Sequence, residues 1–114
     1  MKKQGLANST TVCYSTQANG IRAVVVSTKA DSTLATGEVF TDIAYGNTTL
    51  YGITDGSVFS IDVTTGALTR IARINGATSI SVYSATQLLL IVGNSLILMT
   101  ISTGAYTYLK QDIY

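Results

Sequence analysis

The chain has 114 residues, a formal net charge of +1, and a composition that is 46% hydrophobic but only 11% charged. Globular proteins average about 25% charged residues, so Thr, Ser and Asn side chains must supply most of the polar surface. Thr, Val and Ile favour strands because their branched side chains pack well on a pleated sheet. The composition therefore predicts a single all-β domain, and the small, scattered positive charge argues against nucleic acid as the main partner.

The first residues include two adjacent lysines, Lys2 and Lys3. Signal peptides also begin with basic residues, but residues 4–9 are too polar to form the apolar region that must follow. We therefore expect a solvated terminus and a soluble chain with no recognisable signal peptide, whose compartment the sequence does not assign.

Cys13 is the only cysteine, so no intrachain disulfide can form. It lies between Val12 and Tyr14, and this apolar stretch predicts a buried thiol that packs as a small hydrophobic side chain. An intermolecular disulfide is the less favoured alternative.

Residues 39–76 have the punctuation of four antiparallel strands. Turn residues occur at 46–48, at Asp55-Gly56 and at 64–66, and Asn75-Gly76 leads into the next segment. Asp-Gly favours a tight hairpin because both residues tolerate positive φ. The predicted strands are Asp42–Tyr45, Leu50–Thr54, Val58–Val63 and Leu68–Ile74.

Residues 77–114 predict a second set of four strands. Their most hydrophobic stretch, residues 88–101, is broken at 93–95 and is too short for a membrane span, so it predicts a hairpin. Residues 88–92 and 96–99 are apolar at every position, which predicts burial on both faces of the sheet. The predicted strands are Ser79–Tyr83, Leu88–Val92, Leu96–Ile101 and Tyr106–Gln111.

A spacing of 38 residues relates these two segments. Tyr45 matches Tyr83, Leu50 matches Leu88, and the triplet at 65–67 matches the triplet at 103–105. In the first segment, residues 8–12 match 46–50 at the same spacing, whereas residues 21–27 match 58–64 with one residue fewer; its third turn, residues 28–32, lacks the glycine. We therefore predict one repeat domain over 1–114, with approximate units 1–38, 39–76 and 77–114.

The third turn of each later unit has its own signature. The predicted turn residues are Asp62, Thr65, Gly66, Thr103 and Gly104. The Asp62 carboxylate is expected to accept backbone N–H groups across its turn, and Thr100 in the third unit should do so less well.

The stretch from Leu50 to Thr69 resembles the blades of PQQ-like and related bacterial β-propeller repeat proteins. Its Leu-Tyr-Gly, Asp-Gly, Ile-Asp and Thr-Gly groups follow the pattern that spans the second to fourth strands of those blades. The resemblance is good in the second unit, partial in the third and faint in the first. It implies a propeller blade and leaves function open, since such propellers include quinone enzymes, assembly factors, lectins and scaffolds.

Three blades are too few for a ring, because closed propellers typically have four to eight. An open array would expose an apolar face at each end, and this exposure would cost a free energy of roughly 25 cal/mol per Å² of apolar surface. We therefore predict either a piece of a larger ring or a self-associating chain. A homodimer would supply six blades, and a head-to-tail filament is the alternative.

Catalytic chemistry is not predicted. The chain has no His, which excludes Ser-His-Asp and Cys-His constellations and His-rich zinc sites. Quinone enzymes of related fold hold their cofactor and Ca²⁺ with Trp and acidic residues, and Trp is absent. We expect no catalytic residue, metal or cofactor.

Two classes of function remain. The first is a structural or assembly protein that self-associates, including a subunit of a filament or of a larger extracellular or virion assembly. The second is a module that binds a glycan, a small molecule or another protein, using tyrosine rings and polar loop tips. A repeat lectin should carry the same polar residues in each blade, and this chain does not, which favours structure. The candidate binding residues are Asp42, Tyr45, Tyr51, Asp55, Asn75, Tyr83 and Asn94.

Overall fold

A computed structural model describes residues 6–9 and 11–111 of the chain. The predicted solvated terminus at Lys2 and Lys3 lies outside these ranges. Within them, twelve strands form three four-stranded antiparallel sheets, and in each sheet the strands pair in the order in which they follow along the chain. We call the sheets blade 1, blade 2 and blade 3 in chain order.

In the second and third units the observed strands occur in the predicted order, and their ends differ from the predicted bounds by a few residues. Blade 1 contains β1 Leu6–Asn8, β2 Val12–Gln17, β3 Gly20–Val25 and β4 Asp31–Leu34. Blade 2 contains β5 Asp42–Gly46, β6 Thr49–Thr54, β7 Ser57–Ile61 and β8 Leu68–Arg73. Blade 3 contains β9 Ala77–Ser84, β10 Gln87–Val92, β11 Ser95–Thr100 and β12 Tyr106–Lys110.

The blades pack face to face, and their first strands contact each other: β5 of blade 2 contacts both β1 of blade 1 and β9 of blade 3. One apolar cluster lies between blades 1 and 2 and includes Tyr14, Ile21 and Leu50. A second lies between blades 2 and 3 and includes Ile53, Leu88 and Met99. Blade 2 is therefore buried on both faces, which is why its second strand shows no alternation of exposed and buried residues.

The meander brings the same kinds of loop to the same end of every blade. The hairpin turns at 18–19, 55–56 and 93–94 lie at one end, together with the linkers 35–41 and 74–76 between blades. We call this the linker end. The other turns, including 47–48, 62–67 and 101–105, lie at the opposite end.

Hairpin register defines which residues are equivalent in different blades. The pairs that close the central hairpins are Gln17–Gly20, Thr54–Ser57 and Val92–Ser95. Blade 3 follows blade 2 by the expected 38 residues at this point, and blade 2 follows blade 1 by 37. The shorter spacing, which the sequence shows only from Ile21, extends back to β1, where Ala7 pairs with Tyr14 as Ala44 pairs with Tyr51.

The third turn has one backbone geometry in all three blades. In blade 2 the Asp62 N–H donates to the Ala67 carbonyl, and the Gly66 N–H donates to the Asp62 carbonyl, at 2.9 and 2.7 Å. The same two bonds recur in blades 1 and 3. A threonine hydroxyl accepts the N–H of the residue two positions on in each turn, from Thr28, Thr65 and Thr103. The loss of glycine in the first unit therefore leaves the turn intact, and Lys29 takes the positive φ of 64°.

Gly66 and Gly104 have a second role, because their turns press against the preceding blade. A Cβ at Gly104 would lie 2.5 Å from the Ile71 carbonyl oxygen of blade 2. One at Gly66 would lie 2.9 Å from the Ala35 backbone nitrogen, just after blade 1. The glycine is needed both for positive φ and for this close approach between blades.

Replacing Gly104 by Ala should lower the free energy of unfolding by about 3 kcal/mol, because the cost of a positive φ adds to the cost of overpacking against blade 2. Gly93→Ala is the matched control: its φ is +59° and no atom lies within 4 Å of the added Cβ. The control should lose about 1 kcal/mol. Urea unfolding of both variants measures the difference, and equal losses would contradict the packing role of the glycine.

Candidate functional site

Asp42, the first candidate binding residue, is buried at the start of β5. Its Oδ2 accepts the Ile80 backbone N–H at 3.0 Å. Because Ile80 belongs to β9, this bond joins blade 2 to blade 3. The carboxylate therefore has an internal partner, and the residue has a structural role that the sequence pattern did not indicate.

The three candidate tyrosines occupy different environments. Tyr51 is 5% exposed and lies in the cluster between blades 2 and 3. Tyr45 is half-buried and stacks on Tyr14 of blade 1, with ring centroids 5.7 Å apart. Tyr83 is 62% exposed, because the pairing of β9 with β10 shifts register and passes over it. Val82 takes the position of Tyr45 in blade 3, so the expected equivalence of Tyr45 and Tyr83 is wrong.

Asp55, Asn75 and Asn94 lie together at the linker end. The side chain of Asn75 lies close against Gly56, in the turn that Asp55 begins. The Gly93 N–H, beside Asn94, donates to the Gly76 carbonyl at 3.1 Å. The structure thus brings these three loop residues to one edge of blades 2 and 3, whereas Tyr45 and Tyr83 lie toward the opposite end.

Blade 1 contributes an internal contact at the linker end that the sequence did not single out. Asn19 Oδ1 accepts the Gly37 N–H at 2.6 Å, and the Gly20 N–H donates to the Glu38 carbonyl at 2.7 Å. These bonds tie the hairpin turn to the linker. The only sequence signal for them is the Asn-Gly pair itself, which is typical of a turn.

Asp62 caps the third turn of blade 2. Its Oδ1 accepts the N–H groups of Thr64 and Thr65 at 2.8 and 3.1 Å. These two bonds hold the pKa of Asp62 below its usual range, because they favour the ionised carboxylate. In blade 3 the corresponding turn is held by its backbone bonds and the Thr103 hydroxyl.

An open pocket of about 420 Å³ lies beside this turn. Its polar lining includes the hydroxyl groups of Thr48, Thr49, Ser60 and Thr69, with one carboxylate, Asp62. Ligand pockets usually combine an apolar wall with a few polar groups, and this one has no aromatic side chain in its lining. Hydroxyls with a single titratable group do not define a reaction.

The outward face of blade 3 is a candidate docking surface. Leu89 pairs with Leu98 and Ile91 pairs with Leu96 at the centre of the sheet. All four side chains are half-buried and point away from blade 2, since their neighbours in sequence form the core. The sequence pattern predicts burial of β10 and β11 on both faces. The described residues cover the side toward blade 2, and none of them covers the other side.

The outward face of blade 1 has the opposite character. Its central positions are Cys13, Ser15, Arg22 and Val24. The Arg22 guanidinium lies 3.7 Å from the Asp31 carboxylate. The prediction of an apolar face at each end of the array is therefore wrong for this end. Cys13 is exposed, contrary to the prediction of a buried thiol, because it faces outward while its neighbour Tyr14 enters the core.

Within residues 6–9 and 11–111, no group of three or more Cys, Asp or Glu side chains is placed to hold a metal ion. No helix in these ranges is long and apolar enough to cross a membrane.

Comparison with known proteins identifies the fold. No protein-family model matches this sequence, and no curated protein matches it either. PorZ, an essential surface component of the type-IX secretion system of Porphyromonas gingivalis, aligns with 93% of the chain at TM-score 0.76 and 16% identity. A chain of the nidogen/laminin complex aligns with 90% at TM-score 0.78 and 13% identity. The N-terminal domain of Nup159 aligns with 96% at TM-score 0.68 and 13% identity.

These matches define a β-propeller-type fold. The chain spans only 16%, 44% and 34% of the three matched chains, respectively. Three four-stranded antiparallel meanders packed face to face match the blades of such domains. The propeller-type fold that the resemblance implies is therefore confirmed, whereas the PQQ-like repeat family is not.

Replacing Asp42 by Ala should destabilise the protein by about 1–3 kcal/mol, because the buried Ile80 N–H would lose its acceptor. Asp42→Asn keeps a side-chain oxygen at the same place and should lose much less. Chemical unfolding of the two variants checks this. Equal, small losses would instead indicate that the carboxylate is not a structural tie between blades.

Tyr14 should make stability fall at high pH. Burial raises the pKa of Tyr14, and the neighbouring Tyr45 adds to the increase. The unfolded tyrosine ionises near pH 10, so the contribution of the neutral buried ring is complete below that pH and is lost as the pH rises further. Unfolding midpoints from pH 8 to 11.5 should fall more steeply in the wild type than in Tyr14→Phe. Tyr83→Phe, at an exposed site, should follow the wild type.

Proposed function

We propose that this chain is a non-catalytic structural module of β-propeller type that self-associates through the outward face of blade 3. The observation that carries the proposal is the row of four aliphatic side chains on that face, which no described residue covers. The partner we propose is a second copy of the chain.

Comparison with blade 2 supports this role for the face. The positions equivalent to Leu89, Ile91, Leu96 and Leu98 are Tyr51, Ile53, Val58 and Ser60, by the closing pairs of the hairpins. In blade 2 the first three of these are at most 5% exposed, because blade 3 packs over them. The uncovered face of blade 3 thus corresponds to the face that blade 2 buries, and its four central side chains are aliphatic. Covering this face would contribute a free energy of about 25 cal/mol per Å² of apolar surface.

The absence of catalysis is part of the proposal. The sequence contains no histidine. Two of the acids, Asp42 and Asp62, accept backbone N–H groups. Two others contact side chains, since Asp31 pairs with Arg22 and Glu38 accepts the Thr54 hydroxyl. A general acid or base needs a proton-transfer group free to meet a substrate, and the hydroxyl-lined pocket offers only Asp62.

The names of two similar structures agree with an assembly role. PorZ is a surface component of a secretion system, and nidogen and laminin form a complex. These proteins match in fold at 16% and 13% identity, so the argument for this chain rests on its own surface.

Ligand binding is the weaker alternative. Its candidate residues are divided between the linker end, the blade 2 core and the opposite end. Only Tyr83 among the three candidate tyrosines is well exposed. A glycan array with reproducible binding that is lost in Tyr83→Ala would favour this alternative over the structural role.

Light scattering of the 114-residue chain tests the proposal. We expect a species of twice the chain mass of 12.0 kDa. The double variant Leu89→Glu with Leu98→Glu should be monomeric, since it would bury two carboxylates. Val63→Glu, a change at an exposed turn residue outside the face, should leave the mass unchanged. A wild-type protein that remains at 12.0 kDa at high concentration would contradict self-association.

A further inference from the structure

We infer that blade 1 is a cap, so that two copies pair blade 3 against blade 3 with their first blades pointing away from each other. This inference rests on the proposed self-association and adds its geometry. It predicts an assembly that ends at two chains, in place of a six-bladed ring or a filament.

Each later blade packs one face against the preceding blade, and blade 1 has different residues on the equivalent face. In blade 2 the central positions on this side are Leu50, Gly52, Phe59 and Ile61. In blade 3 they are Leu88, Leu90, Ile97 and Met99, all buried. The equivalent positions of blade 1 are Cys13, Ser15, Arg22 and Val24. Where the later blades have a packing surface, blade 1 has a thiol, a hydroxyl and a guanidinium.

Covering the polar outward face of blade 1 would cost free energy. Arg22 and Asp31 form an ion pair whose side chains are each 55% exposed. Gln17 Nε2 donates to Thr33 Oγ1 at 3.3 Å on the same side of the sheet. An aliphatic surface placed over these groups would remove their water and supply no hydrogen bonds in return. The outward face of blade 3 is such a surface, so the two ends of the array do not complement each other.

In blades 2 and 3 the third turn contacts the preceding blade. At Gly66 and Gly104 a backbone atom next to or in the preceding blade lies so close that a Cβ would clash with it. Blade 1 keeps the turn geometry but has Lys29 at this position, with φ of 64°. A lysine side chain therefore projects from the place where the later blades need no side chain at all. This departure from the repeat is expected where no blade has to dock.

Together these features give the array one closed end and one open end. Terminal repeats of stacked proteins commonly have a polar outer face. Among the surfaces of the described residues, the one that matches the open face of blade 3 is the same face on a second copy, which is uncharged at its centre and can pair about a two-fold axis. A ring and a head-to-tail filament would both require the face of blade 1.

Charge-swapped variants at Leu98 distinguish these arrangements. Leu98→Lys and Leu98→Glu should each be monomeric alone. An equimolar mixture should associate at least about tenfold more tightly than either variant, because opposite charges meet only if the face contacts itself. In a head-to-tail contact Leu98 would face blade 1, and the mixture would associate no better than its components. A wild-type dimer with no rescue in the mixture would overturn this inference and leave self-association standing.

The exposed Cys13 is a natural reporter for the other face. In the proposed dimer its thiol should react with a disulfide reagent within about twofold of the rate in monomeric Leu98→Lys, because blade 1 stays in solvent. Protection by tenfold or more in the wild-type dimer would show that blade 1 is covered and would overturn the cap. Ser15→Arg gives a second readout: the dimer mass should be unchanged, whereas a ring or filament would dissociate.

Discussion

The structure depends on one constraint, which is that each small sheet buries its apolar face only against the next sheet. A four-stranded meander has two faces, and blade 2 is the only one with both faces covered by described residues. Its strand β6 is accordingly buried at almost every position. The inner strand β5, which contacts both neighbours, and the Asp42 bond to Ile80 hold this blade between the others.

Close approach between blades explains the most distinctive part of the repeat. Thr-Gly-Ala could be read as a local turn signal, and the hydroxyl cap from Thr65 and Thr103 agrees with that. The glycine is needed further because the neighbouring backbone lies where a Cβ would be. The first unit keeps the turn and loses the glycine, so local geometry and packing between blades can be separated within one chain.

The candidate site illustrates how far a linear pattern can be extended. Asp55, Asn75 and Asn94 could be placed at one end of the sheets from the order of strands and turns alone. Asp42 and Tyr51 could not be separated from surface residues, because their burial depends on the faces of blades 2 and 3 meeting. Tyr83 lost its expected equivalence to Tyr45 through a register shift, which a fixed 38-residue spacing does not reveal.

The sequence by itself determined the strands, the turns, the three units and the propeller-type blade, because these follow from local propensity and from hydrophobic patterning repeated along the chain. Only the tertiary structure decided which side of each sheet is covered. Alternation along a strand divides residues into two faces but does not say which face meets a neighbour. For this reason the sequence did not predict that Cys13 is exposed. It also did not predict that the uncovered face of blade 1 is polar or that the uncovered face of blade 3 is aliphatic.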